Sequence, residues 1–156
     1  MIVQIYTLQS VEEAIEVISV GVDNIGITPA SIGLPGEISY ETAKDICKKV
    51  EGGTKVALSV SSNIDEIIEM VMFVCPDVLH LCGEPGELNV NAVRSLKERL
   101  QKFNKGLPIM QAISVDDMSA LDFAKEYEEI SDFFILDTST TAVQGVGASG
   151  NVHDWN

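Results

Sequence analysis

Six short apolar runs alternate with five amphipathic stretches along this chain, and no hairpin signal interrupts them. Strands alternating with helices of roughly 10–15 residues mean βαβ units and a parallel sheet. The first strand is Ile2 to Tyr6. Ser10-Val-Glu-Glu13 is a capping box, so a helix begins at Ser10. Its apolar positions Val11, Ala14, Ile15 and Ile18 keep helical spacing, and Gly21 stops it. Asn24 to Thr28 is the second strand, followed by a loop with Gly33, Pro35 and Gly36. Ser39 caps a helix through Val50, which Gly52-Gly53 ends. Lys55 to Ser59 or Val60 is the third strand. Ser62 opens the third helix, with Ile64, Ile67, Ile68 and Val71 as its inner face, and Pro76 breaks it. Asp77 to Leu81 is strand four, and Gly83, Pro85 and Gly86 form a loop. A fourth helix runs from Asn89 or Asn91 to Asn104, closed by Gly106. Pro108 to Ala112 is strand five, and Ser114-Val-Asp-Asp117 caps a fifth helix reaching Ile130. Asp132 to Leu136, dominated by Phe133, Phe134, Ile135 and Leu136, lacks polar alternation and predicts a sixth strand buried on both faces.

Two architectures fit alternating strands and helices. A doubly wound sheet usually announces a glycine-rich phosphate turn after strand one, and Tyr6-Thr-Leu-Gln9 has no glycine. The expectation is therefore an α/β chain with a parallel (β/α) barrel of the TIM type, with about six βα units in one domain over residues 1–156. A full eight-unit barrel needs about 200 residues or more. Six strands alone would leave strands one and six with open hydrogen-bonding edges. Further residues, a second chain or rearranged closure would have to cover them, and a homo-oligomer is one such cover.

Composition excludes several partners. Ten Lys+Arg stand against 24 Asp+Glu, a net charge of -14, so no nucleic acid partner is expected. No run approaches the roughly 20 apolar residues of a membrane span, and no signal peptide is visible. Three cysteines, Cys47, Cys75 and Cys82, lack CxxC spacing and fit reduced thiols in the cytoplasm. Nothing calls for a metal or a cofactor.

Asp137 follows the sixth apolar run, and a loop with Gly145, Gly147 and Gly150 follows it. In parallel α/β proteins chemistry sits at strand C-termini, which makes Asp137 a catalytic candidate. The plain alternative is an aspartate that ends a strand and starts a turn. His80 and Cys82 lie two apart in strand four and point to one side of it. A thiol beside an imidazole can be activated, or both can be interior fillers.

The chain resembles the phosphoribosylanthranilate isomerase family, small (β/α)8 barrels of tryptophan biosynthesis. Ile135-Leu-Asp-Thr138, Gly147-Ala-Ser-Gly150 and His153-Asp-Trp155 resemble the family's Leu-Leu-Asp-Thr, Gly-Gly-Ser-Gly and Phe-Asp-Trp segments. Gly21-Val-Asp-Asn-Ile-Gly26, Ile38-Ser-Tyr-Glu-Thr-Ala43 and Leu79-His-Leu-Cys-Gly-Glu84 are similar to its strand-two, helix-two and strand-four segments. The resemblance implies that Asp137 is the general acid. It implies substrate contacts at His80, Gly147, Ser149 and Gly150. It also marks departures. Tyr6 stands in the place of the family's basic cysteine, its carboxylate-binding arginine falls at about Gly36, and Cys82 stands in the place of its strand-four histidine. Units seven and eight, which the resemblance implies carry the phosphate-binding loops, are not in these 156 residues.

The family reaction turns an aminoaldose phosphate into an aminoketose. An acid opens the sugar ring and a base removes the C2 proton. Asp137 serves as the acid if burial raises its pKa. Tyrosine, with an ordinary pKa near ~10, makes Tyr6 a poor base, and Cys82 is the substitute candidate. Three readings follow: an isomerase relative acting on a small phosphorylated sugar, with altered or lost activity; another ribulose-phosphate-binding barrel enzyme of aldolase or epimerase type; or a non-catalytic binding or assembly protein.

Overall fold

The computed structural model describes residues 1–83, 86–103, 106–115 and 118–137. Strands and helices alternate as β1 (Gln4–Ile5), α1 (Val11–Ser19), β2 (Asn24–Ile27), α2 (Tyr40–Lys49), β3 (Thr54–Ser59), α3 (Ile64–Val74), β4 (Val78–Leu81), α4 (Val90–Gln101), β5 (Ile109–Ser114), α5 (Ser119–Tyr127) and β6 (Phe133–Asp137). The strands hydrogen-bond in the order β1-β2-β3-β4-β5-β6. A doubly wound sheet would reverse at β1, and this order does not. Parallel strands added one after another are the order of a (β/α) barrel.

Two compact units divide the chain. The first holds 1–59 and 65–79, and the second holds 60–64 and the residues from His80 onward. In the first, β1 pairs β2 through Gln4↔Asn24, and β2 pairs β3 from Asn24↔Thr54 to Ile27↔Ala57. Its core is Ile25, Ile27, Val56 and Ala57 from the strands with Ala14, Ala43, Ile46, Ile67 and Val71 from the helices. In the second, β5 pairs β6 from Met110↔Phe133 to Ser114↔Asp137. Val93, Leu96 and Leu100 of α4 and Tyr127 of α5 are buried with Ile109 and Ile113 of β5.

The local start signals work where a side chain can reach its own helix. Ser10 Oγ accepts from Glu13 N, Ser39 Oγ from Thr42 N, and Asn89 Oδ1 from Ala92 N, at 3.1, 3.1 and 3.0 Å. Each satisfies one orphan N–H of a first turn. Helix five departs from expectation. Ser114 is the last residue of β5, and the helix starts at Ser119 with no side-chain cap. Ladder pairing with β6 carries the strand through Ser114 and takes it out of cap geometry. The sixth strand departs too. Phe133, Phe134 and Leu136 are 49%, 38% and 52% exposed, so β6 is not buried on both faces. Among the described residues its hydrogen-bonded strand neighbour is β5.

A second device is long-range and repeats. Asp23 Oδ2 accepts from Val3 N at 2.8 Å, Asp77 Oδ2 from Lys55 N at 2.9 Å, and Asp132 Oδ2 from Ile109 N at 2.9 Å. The same aspartates return their own N–H groups to Val3 O, Lys55 O and Ile109 O. One aspartate entering each even strand thus clamps the start of the preceding odd strand. These contacts lie at strand N-termini, the end of such folds associated with stability.

Candidate active site

His80 stands third in β4 and is 4% exposed. Burial pushes its imidazole down to about 4, and the nearby Asp137 carboxyl pulls the other way without overcoming it. His80 is therefore neutral at neutral pH. Asp137 closes β6 opposite Ser114, and its carbonyl accepts from Val115 N at 2.8 Å. β6 and β4 thus bring Asp137 and His80 into electrostatic reach of each other at strand C-termini. Cys82 follows β4 directly and is 4% exposed. Burial raises its thiol to about 12, so it keeps its proton at neutral pH. That is the opposite of an activated thiolate.

Tyr6 belongs to the first unit and sits just past β1. Its ring lies so close over Gly26 of β2 that a Cβ there would collide with it. The next residue, Thr7, has φ 69, an outlier for a β-branched residue. Its methyl occupies the space a Cβ on Gly36 would need, and Gly36 itself has φ 71. Tyr6 and Thr7 therefore require glycine on both facing segments. Gly147, Ser149 and Gly150 lie outside the described residues. Among the described residues no cluster of three or more His, Cys, Asp or Glu could hold a metal ion.

The second unit also holds a cavity of about 170 Å³, which sequence reasoning missed. Ser61, Ser62, Gln111, Ser114 and Phe123 contribute to its wall. Its one signal was a glutamine set in the apolar run Ile109-Met-Gln-Ala-Ile113.

No family model matches the chain. A relative from Sinorhizobium fredii (strain NBRC 101917 / NGR234), named N-(5'-phosphoribosyl)anthranilate isomerase, is 30% identical over 159 residues, covering 99% of this chain and 66% of the relative. The phosphoribosyl anthranilate isomerase of Thermotoga maritima superposes with a TM-score of 0.76 at 24% identity, covering 99% of this chain and 69% of that one. The chain is thus similar in sequence and in fold to phosphoribosylanthranilate isomerases. It spans just under two thirds of the Sinorhizobium relative's length, 66%. A further solved isomerase, in complex with reduced 1-(o-carboxyphenylamino)-1-deoxyribulose 5-phosphate, matches with a TM-score of 0.71 at 22% identity, over 89% of this chain and 66% of that chain. The likeness to the solved family structures extends to the sequential parallel strands. Among the described residues no helix is long and apolar enough to cross a membrane.

Proposed function

We propose that this chain is a divergent aldose–ketose isomerase for a phosphorylated ribose derivative, and that it converts phosphoribosylanthranilate itself far more slowly than a family member keeping the cysteine and arginine. The observation that carries the reading is Asp137 beside a buried, neutral His80 at strand C-termini. Asp137 donates the proton that opens the sugar ring, and neutral His80 holds its carboxyl in place. The glycine-serine loop, through Gly147, Ser149 and Gly150, contacts the substrate by family likeness. The base is what is weak. Tyr6 replaces the cysteine, Cys82 holds its proton with a thiol near 12, and His80 near 4 is too acidic to take one readily. One missing acid–base group costs about 10²–10⁴-fold. Gly36 offers a substrate carboxylate no bidentate partner.

Turnover of phosphoribosylanthranilate, followed by loss of its fluorescence, tests this. The expected rate is about 10²–10⁴-fold below that of an isomerase with both groups. Asp137→Asn removes what remains while the circular dichroism is unchanged. An ordinary turnover number would refute the slow-base argument. No turnover together with no binding of the reduced deoxyribulose phosphate analogue would favour a non-catalytic binding or assembly protein, the reading that the protonated Cys82 and the missing arginine also suit.

A further inference from the structure

We infer that the loop between β2 and α2 is a carboxylate-binding cradle of backbone N–H groups, and that the chain's own Glu37 plugs it and latches the loop in one shape. The N–H groups of Ile32, Gly33 and Leu34 all donate to the Glu37 side chain. Oε2 accepts from Ile32 at 3.0 Å, from Gly33 at 3.0 Å and from Leu34 at 2.9 Å, and Oε1 accepts from Gly33 at 3.0 Å. Successive N–H groups turned toward one point make an anion-binding concavity. Gly33, with φ 90, supplies the left-handed backbone that such a turn needs. Bonds from N–H groups to a carboxylate are charge-assisted and roughly twice as strong as neutral ones. They hold the Glu37 carboxyl below the ordinary glutamate range, Ile32 contributing most, then Leu34, then Gly33.

The backbone turns the plug onto the cradle. Glu37 N donates to Leu34 O at 3.2 Å, and at the base of the loop Ile38 N donates to Thr28 O at 3.0 Å and Ala30 N to Ile38 O at 3.1 Å. Gly36, next to the plug, packs against the Thr7 methyl. The loop therefore stands against the segment that follows β1, at the strand ends where such folds place their chemistry. Ile32 and Gly33 are exposed, so a carboxylate from solvent can reach their N–H groups once Glu37 leaves. While it stays, a side chain three to five residues from its donors competes at an effective concentration of about millimolar or more. Dilute external anions are thus kept out. Asp137 and His80 belong to the second unit and make none of these contacts, so the cradle does not depend on the isomerase reading.

The test is amide hydrogen exchange, followed by NMR, on the whole chain and on Glu37→Ala. Exchange at Ile32, Gly33 and Leu34 is expected to be about tenfold or more faster in Glu37→Ala, while the amides of the β2–β3 ladder keep their rates. Sodium formate then slows the three amides of Glu37→Ala in a saturable way, and sodium chloride at the same ionic strength does not. The same formate leaves the unaltered chain as it is. If Glu37→Ala does not fold, Glu37→Gln takes its place: its neutral amide oxygen accepts more weakly, and a several-fold rise in exchange is expected. Equal exchange in the folded variant, no slowing of Glu37→Ala by formate, an equal effect of chloride, or stronger slowing by inorganic phosphate than by formate would each overturn the proposal.

Discussion

At the scale of single residues, burial decides what the side chains of β4 can do. His80 has a pKa near 4 in the folded chain against an ordinary value of 6.5. Between those values the unfolded chain binds the proton and the folded chain does not, so stability falls as pH drops from about 6.5 to about 4. The full difference is about 3 kcal/mol. Thermal melts at pH 7.5 and 4.5 check it: His80→Gln should lose less stability on acidification than the unaltered chain. An equal loss would mean that His80 is protonated without penalty. Gly36 makes a second residue-scale case. Restoring the family's arginine there looks like a route to activity, but Thr7 fills the space and φ is positive. Gly36→Arg is expected to destabilise by about 1–3 kcal/mol without raising turnover. Unchanged melting with gained activity would show that the loop yields. His80, Cys82 and Asp137 were candidates from residue type and strand position, and Tyr6 from the family resemblance alone. The protonation of Cys82 was not, because a thiol's pKa follows its surroundings rather than its neighbour in sequence.

At the scale of elements, what could be read from sequence divides by the range of the interaction. Ser10 and Ser39 cap helices through an N–H three residues on, so the sequence predicts both starts, whereas for the fourth helix it left Asn89 and Asn91 open and the structure caps with Asn89. Ser114 carried the same motif, but pairing with Asp137 holds it in β5. The aspartate clamps reach 20, 22 and 23 residues along the chain, so no local window shows them. Asp77→Ala removes the acceptor for Lys55 N and should cost about 1–2 kcal/mol in denaturant unfolding. An unchanged midpoint would mean that water replaces the carboxylate at no cost. Tyr127→Phe tests the α5 anchor. It leaves the Leu88 carbonyl without its donor and is expected to cost about 1–3 kcal/mol. A neutral result would show that the stacked Phe123 and Tyr127 rings suffice to hold that helix.

At the scale of the whole molecule, charge is the property the sequence sets most directly. A net charge of -14 with a pI near 4.3 makes the folded chain repel itself. Screening shortens from about 10 Å at 0.1 M salt to about 3 Å at 1 M. The melting temperature should therefore rise with sodium chloride, and a flat or falling series would show that ion pairs such as Lys97–Asp132, 3.1 Å apart, outweigh the repulsion. The sequence by itself determined the alternation of strands and helices, the Ser10 and Ser39 caps, the net acidic charge and the family likeness, because each is written in the residues themselves and their local order. Tertiary structure decided the rest. It exposed the apolar β6, since burial depends on what lies beside a strand rather than on the strand's own residues. It packed Tyr6 and Thr7 onto glycines from distant segments. It also enclosed the Gln111 amide with an unmatched acceptor, because burial and the absence of a donor are facts about neighbours in space, which no stretch of sequence contains.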